Sequence, residues 1–451
     1  MKGHRPDGVQ PSLRRGHAPD GSLGALALLA GALVLLSSAC KKRAEATPVQ
    51  VKPVRRPASS SQVEAPPAPP KKIPVKHVLL LTVDALRADQ PWSGYELAKT
   101  PRLSALAEQS VVYTQAYSLA NTTTPSLNAL LAARYPTELP RDNCPLAGFT
   151  VDDGLPKILA AAGIATYASH GHAIFASSFA PKEGFGSWKV ITDVGRVSDG
   201  AVTGEGIATQ LLEIFAAKGE DTRSFVWAHF VDPHDAYVAH EAFPKSASPV
   251  RGLYDGEVAY TDHQIGRVLD ALQERGFAES TAVILTADHG EAFNEHGTFR
   301  HGYSVYEEEI RVPLMLRLPG VSPRTIAEPR SAIDLARTIA ELYDVAPPET
   351  WRGVSLVRDL EGPPAPRDIL VDTPELISGI ARRAFLRGNK KLITEAKKDR
   401  FFDLAADPKE EKAQLGADIE PFRDEARAVW KTLADVPSTY CTREAFKPVS
   451  P

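Results

Sequence analysis

Asp288 and His289 stand side by side shortly after the apolar run Thr-Ala-Val-Ile-Leu of residues 281–285. A short β-branched run of this kind predicts a buried strand, and open α/β sheets bind ligands beyond the carboxyl ends of their strands. An anionic oxygen beside an imidazole at that place suits a metal ion. His296 and His301 follow in N-E-H-G-T-F-R-H-G, residues 294–302, predicted as a glycine-punctuated loop that folds back toward the pair. A second strand-like run, H-V-L-L-L-T-V at 77–83, ends on Asp84. A third, S-F-V-W-A-H-F at 224–230, leads into V-D-P-H-D with His234. A hydroxyl completes the set. Thr123 lies in N-T-T-T-P-S-L, residues 121–127, where Pro125 suits a first helical turn and a threonine suits its N-cap. Free N–H groups and the helix dipole favour an anion at such a terminus.

The elements that must position these residues alternate strand and helix. Helices are predicted over residues 101–110, 154–162, 205–218, 257–276 and 332–345, and strands over 165–169 and 312–318. This is the βα pattern of a doubly wound, mostly parallel sheet covered on both faces, an α/β fold. Beyond proline-rich residues 347–366, strands at 383–394 and 399–404 turning at Gly388-Asn389, then a helix at 419–433, predict a small C-terminal α+β subdomain over 367–445. The main domain is accordingly 77–346. A formal charge of −4 and the lack of an arginine- or lysine-rich face in the folded part argue against nucleic acid as a partner.

The combination resembles the sulfatase family of the alkaline-phosphatase-like superfamily. The resemblance rests on L-L-L-T-V-D-A-L-R-A-D at 79–89, T-T-P-S at 123–126 with L-L-A-A-R-Y-P at 130–136, and H-F-V-D-P-H at 229–234. It continues through residues 254–266, A-D-H-G-E at 287–291 and Y-E-E-E-I-R-V-P-L at 306–314, to 390–394 and 402–408. It implies a sheet of that type, an anionic ester as substrate, and one divalent metal held by Asp84, Asp288 and His289. Thr123 falls at the nucleophile position, and His234 and His301 at positions that contact the substrate or its leaving group. His170 and His172 fall near a region where sulfatases carry further basic residues. His229 is expected in the core by strand alternation, and Arg87, Asp89 and Arg311 as structural ion-pair residues.

The departures are as informative. Sulfatases make a formylglycine from Cys or Ser in a Cys-x-Pro-x-Arg motif, whereas this chain has Thr123 there and Leu127 at the arginine position. The usual second aspartate after Asp84 is Ala85. A formylglycine hydrate sheds sulfate by collapsing to the aldehyde. A threonine ester has no second hydroxyl and must be attacked at its central atom, a displacement that phosphoryl groups accept readily with metal help. Phospho-chemistry is therefore favoured. A phosphoglycerol- or phosphoethanolamine-type transferase is the alternative, and a catalytically relaxed binding lipoprotein the reading of another class. Nitrogen from His289 and the missing oxygen at Ala85 favour manganese or zinc, with calcium possible.

The first residues read as an export signal. Arg5, Arg14 and Arg15 precede an apolar run at 23–36, then S-S-A-C ending at Cys40. The run resembles a lipoprotein signal over 1–40, with an uncleaved signal anchor as the alternative, so the protein is expected to be exported and held at a membrane by its N-terminus. Residues 41–76, rich in Pro, Ala, Ser and Lys, cannot bury a core and form a tether. Cys144 and Cys441 are the remaining cysteines, and a bridge between them is as expected as its absence.

Overall fold

The computed structural model describes residues 72–140, 151–176, 181–192, 202–219, 222–243, 249–375, 380–396, 398–414 and 419–436. The signal segment, most of the tether, Cys144 and Cys441 lie outside the described residues.

In chain order the main domain runs β1 (His77–Val83), α1 (Pro101–Glu108), β2 (Val111–Tyr117), α2 (Thr123–Ala132), α3 (Leu155–Ala161), β3 (Ala165–His170) and β4 (Ser187–Val190). It continues with α4 (Gly204–Ala216), β5 (Ser224–Phe230), α5 (Pro249–Glu274), β6 (Thr281–Ala287), the short pair β7 (Ala292–Phe293) and β8 (Phe299–Arg300), and α6 (Glu307–Ile310). Then come β9 (Arg311–Arg317), β10 (Arg324–Ile326), β11 (Arg330–Ser331) and α7 (Leu335–Leu342).

The strands form a nine-stranded sheet in the order β10-β2-β9-β6-β1-β5-β3-β4, with β11 also on β2. Every residue of β1, β5 and β6 is buried, which is why each reads as an unbroken apolar run rather than an alternation. These three central strands are parallel and in step: Val83 pairs with both Phe230 and Ala287. Their carboxyl ends are therefore level. Asp84, Val231 and Asp288 leave the sheet at one edge, and the Asp84 amide still donates to the Phe230 carbonyl at 2.8 Å.

Both faces are covered. One core cluster includes Leu130 of α2, Leu159 of α3 and Ile339 of α7. The other includes Leu103 of α1, Leu211 of α4 and Ile265 of α5. The fold is the α/β doubly wound architecture expected from the sequence, with differences in detail. Strand β2 had no counterpart in the sequence reading, and β9 runs antiparallel to both β2 and β6. Helix α5 begins at Pro249, earlier than the predicted 257, so residues 249–256 are also helix. The expected helix at 332–345 opens as a 3-10 turn, Ala332–Asp334, before α7. Residues 294–302 are not wholly loop, because β7 and β8 pair as a small hairpin around them.

Downstream, β12 (Asp368–Thr373), β13 (Arg382–Arg387), β14 (Lys390–Glu395) and β15 (Lys398–Asp403) form an antiparallel four-stranded sheet, followed by α8 (Glu420–Trp430). Strand β12 was missed in the sequence because it follows directly on the proline-rich stretch. The β13–β14 hairpin turns at Gly388, whose φ of 56° favours glycine. Leu370, Phe385 and Leu392 of this sheet belong to the same core cluster as one face of the main sheet. Among the described residues, no helix is long and apolar enough to cross a membrane.

Candidate active site

Helix α2 starts at Thr123, with Thr122 extended at the N-cap position. Its first turn is fastened to the end of β6: the Ser126 hydroxyl donates to the Asp288 carbonyl at 2.5 Å and accepts from the Leu119 amide at 3.3 Å. This brings Thr123 Oγ1 to 3.2 Å from His289 Nε2.

The three strand ends are tied just as closely. Asp288 Oδ1 accepts from the His289 amide at 2.9 Å and from the Ala85 amide at 3.2 Å. Ala85 sits at φ 55°, a left-handed conformation unusual for a residue with a Cβ. Tyr254 holds it there, donating its hydroxyl to the Ala85 carbonyl at 2.9 Å. Ala85, where the resemblance places a second aspartate, offers Asp288 its backbone amide and no carboxylate. Leu127, at the family's arginine position, is buried in the core.

Asp84, Asp288 and His289 are all fully buried, and each offers a ligand atom within 4.8 Å of the others. His289 Nε2 is 3.5 Å from Asp84 Oδ1 and 3.4 Å from Asp288 Oδ2. Neither of those carboxylate oxygens has a hydrogen-bond partner. His289 Nδ1 faces the Gly290 carbonyl at 2.9 Å, so Nδ1 carries the proton and Nε2 presents a lone pair. Burial, then the charge of His301, lowers the His289 pKa to about 3, so the ring is neutral near neutral pH. The Nε2 lone pair and the two unpartnered carboxylate oxygens thus face one another. Burial and the charge of Asp84 push the Asp288 carboxyl well above its usual range. Burial would raise Asp84 as well, but His234 and His229 outweigh it and hold that carboxyl below its usual range. A divalent cation fits this donor set of two carboxylates, one imidazole and a nearby hydroxyl, because it would satisfy both orphaned oxygens at once.

Further histidines line the approach. The rings of His289 and His301 lie 4.1 Å apart, His301 and His234 5.1 Å, and His234 and His172 5.6 Å. Asp84, His172 and His234 also have ligand atoms within 4.8 Å of one another. His234 Nδ1 donates to the Asp235 carbonyl, which fixes the ring. His301 Nδ1 lies 3.1 Å from Glu291 Oε1, and Tyr237 donates to Glu291 Oε2 at 2.8 Å. Burial lowers His172 and His301 to about 4 and raises Glu291 to about 7.

The structure therefore brings Asp84, Thr123, His234, Asp288, His289 and His301 to one edge of the sheet. Sequence reasoning missed two neighbours, His229 and Glu291, and placed a third, His172, only loosely. His229 is buried, as strand alternation suggests, yet its Nε2 meets Asp84 Oδ2 at 3.3 Å. Its place directly before the strand end was the available signal. Glu291 lay unassigned inside the A-D-H-G-E segment, and His172 had only a loose placement. His170 stays in the core, its ring 4.7 Å from Phe175 and 4.4 Å from Trp188. His296 turns away, stacking on Tyr306 at 3.7 Å and meeting Glu308 at 2.7 Å. Arg87 and Asp89 pair at 2.8 Å, and Arg251 joins Asp89 at 3.2 Å. Arg311, expected in an ion pair, instead donates to the Thr114 carbonyl at 3.1 Å, because β9 places it against β2.

A family model for sulfatases matches residues 76–345, and the chain belongs to the sulfatase family. Among its relatives, the choline-sulfatase of Rhizobium meliloti is 30% identical over 164 residues, which are 36% of this chain and 32% of that protein. The chain thus spans about a third of the length of that relative, at 32%. The ulvan-active sulfatase of Formosa agariphila is 25% identical over 431 residues, 82% of this chain and 83% of that protein. The crystal structure of a phosphonate monoester hydrolase of Agrobacterium radiobacter superposes with a TM-score of 0.67 at 18% identity, over 79% of this chain and 95% of that one. At that identity the likeness speaks to the fold.

Proposed function

We propose that the chain is a metal-dependent hydrolase of sulfate or phosphate esters, working through Thr123 and favouring phosphate. The observation that carries this is the position of Thr123 Oγ1, 3.2 Å from His289 Nε2 and at the start of α2, beside the orphaned oxygens of Asp84 and Asp288. Asp84, Asp288 and His289 would hold one divalent cation, manganese or zinc before calcium, whose charge when bound lowers the Thr123 hydroxyl pKa and draws in an anionic ester.

Thr123 Oγ1 releases its hydroxyl proton to solvent and attacks the central atom in line. A bond forms from Oγ1 to phosphorus or sulfur as the bond to the leaving oxygen breaks. The free amides at the start of α2 receive the ester's negative oxygens. His301 is neutral in the free site, and an entering anion raises its affinity for a proton. With Glu291 behind Nδ1 to stabilise the cation, His301, flanked by His234, supplies the proton the leaving oxygen needs. Water then attacks the Thr123 ester, frees the inorganic anion and restores the hydroxyl. An alcohol acceptor in place of water would give the transferase.

The sulfatase names of the relatives favour sulfate, and the threonine favours phosphate. A panel of aryl sulfate, phosphate monoester and phosphodiester substrates, each with Mn²⁺, Zn²⁺ or Ca²⁺, decides between them. Phosphate esters with Mn²⁺ or Zn²⁺ should turn over fastest. Thr123→Ala should abolish turnover while the chain keeps its metal. Calcium-supported sulfate hydrolysis that survives Thr123→Ala would refute the reading. The N-terminal signal supports a further proposal, that the enzyme is exported and anchored through Cys40.

A further inference from the structure

We propose that Asp232, His240 and Glu257 form a second divalent-cation site, separate from the Asp84 centre, which braces the turn carrying His234. Their ligand atoms lie within 4.8 Å of one another. They come from two places: Asp232 and His240 from the segment after β5, and Glu257 from the third turn of α5. Asp232 is 1% exposed and Glu257 2%, so neither carboxylate is a solvated surface group.

The protein satisfies one side of each carboxylate and leaves a gap between them. Asp232 Oδ2 accepts from the Thr203 amide at 3.3 Å and its hydroxyl at 3.4 Å. Glu257 Oε1 accepts from the Val238 amide at 2.6 Å. Asp232 Oδ1 and His240 Nε2, both buried, have no hydrogen-bond partner. His240 Nε2 stands 3.6 Å from Glu257 Oε1, beyond a good hydrogen bond. The ring is held in place by stacking on Tyr260, with centroids 4.3 Å apart and planes 9° from parallel. Burial and the charge of Glu257 push Asp232 up to about 7, and burial raises Glu257 also. Two buried carboxylates and an unpartnered imidazole nitrogen call for a cation.

Two oxygens and one nitrogen suit zinc or manganese, whereas calcium seeks six to eight oxygen ligands. Thr203, which donates to Asp232, and Tyr260, which stacks on His240, also line a neighbouring surface cleft. An ion here would fasten residues 232–240 to α5. That segment contains His234, whose neighbours His172 and Asp84 belong to the other cluster. The site would therefore act on catalysis by positioning and not by touching substrate.

Metal counting tests this directly and does not depend on the reaction. The full chain is stripped with a chelator, equilibrated at fixed free zinc, and its bound zinc measured by mass spectrometry. The unaltered protein should hold two equivalents, His240→Gln one, and Asp288→Asn one. In the Asp288→Asn background zinc should raise the melting temperature, and adding His240→Gln should remove that shift. Should His240→Gln fail to fold by circular dichroism, Glu257→Gln takes its place, and the zinc content of Asp288→Asn alone still decides. Asp288→Asn protein that holds no zinc, or folded His240→Gln protein that holds the full complement, overturns the second site.

Discussion

At the scale of single residues, the site combines strong donors with unusual restraint. Burial keeps His172, His289 and His301 neutral near pH 7, and the carboxylates are crowded together because three strands end level. Glu291 is the residue that links these facts to catalysis, since it meets His301 Nδ1 at 3.1 Å and is itself held by Tyr237. It does not face the nucleophile in the proposed mechanism, so it is a positioning residue. Glu291→Gln should lower kcat on the order of 10–100-fold, as for other outer partners of functional histidines, and leave KM nearly unchanged. Steady-state kinetics with the best ester decides it. A change confined to KM would mean that Glu291 shapes substrate binding and not the proton donor. The sequence displayed Glu291 inside A-D-H-G-E, but a carboxylate in a motif does not reveal which histidine it supports.

At the scale of elements, β3 offers a clean electrostatic test. His170 ends this strand with both ring nitrogens unpartnered and its ring packed against Phe175 and Trp188. Burial, then the charges of His229 and His172, lowers its pKa from 6.5 to about 2. The unfolded chain therefore binds this proton before the folded one does. Stability is intact above the unfolded value and falls as pH drops below 6.5, by about 1.4 kcal/mol per pH unit. His170→Phe removes the titration and should flatten that acid limb, a gain of about 2 kcal/mol at pH 5 relative to pH 8. Urea denaturation at the two pH values measures it. Equal slopes in both proteins would show that His170 is not the titrating group. Periodicity located β3 correctly and left His170 as a site candidate, because strand alternation cannot say which neighbour covers a residue on either face.

At the scale of the whole molecule, the C-terminal sheet shares a core with the main sheet and is joined to it by a buried ion cluster. Lys391 of β14 is fully buried and meets Glu307 at 2.9 Å and Glu410 at 2.8 Å. Glu307 opens α6, which leads into β9 of the main sheet. Lys391→Ala leaves these carboxylates without their cation and should cost about 3–5 kcal/mol. Chemical denaturation should show this as a lower midpoint in a single transition. An unchanged midpoint would mean that the sheets are held by apolar packing alone. The N-terminus predicts a different effect. Cys40→Ala should release the protein from membranes without changing the activity of the soluble form, and fractionation of cells tests this. Identical partitioning with and without Cys40 would end the lipoprotein proposal.

The sequence by itself determined the family and the central strands, and it marked the residues proposed to bind metal and carry the ester. It could do so because buried parallel strands are continuous apolar runs and their ends are marked by charge. Asp84, Asp288 and His289 were legible for that reason, and Thr123 because it stands at a helix start just before Pro125. The tertiary structure alone decided which partners surround them. It put His229 on Asp84, Glu291 behind His301, and His240 opposite Asp232 and Glu257, through contacts between residues far apart in the chain or on opposite sides of a turn. Such contacts depend on strand register and helix packing over many residues. Local pattern fixes where a side chain starts, and packing fixes what it meets.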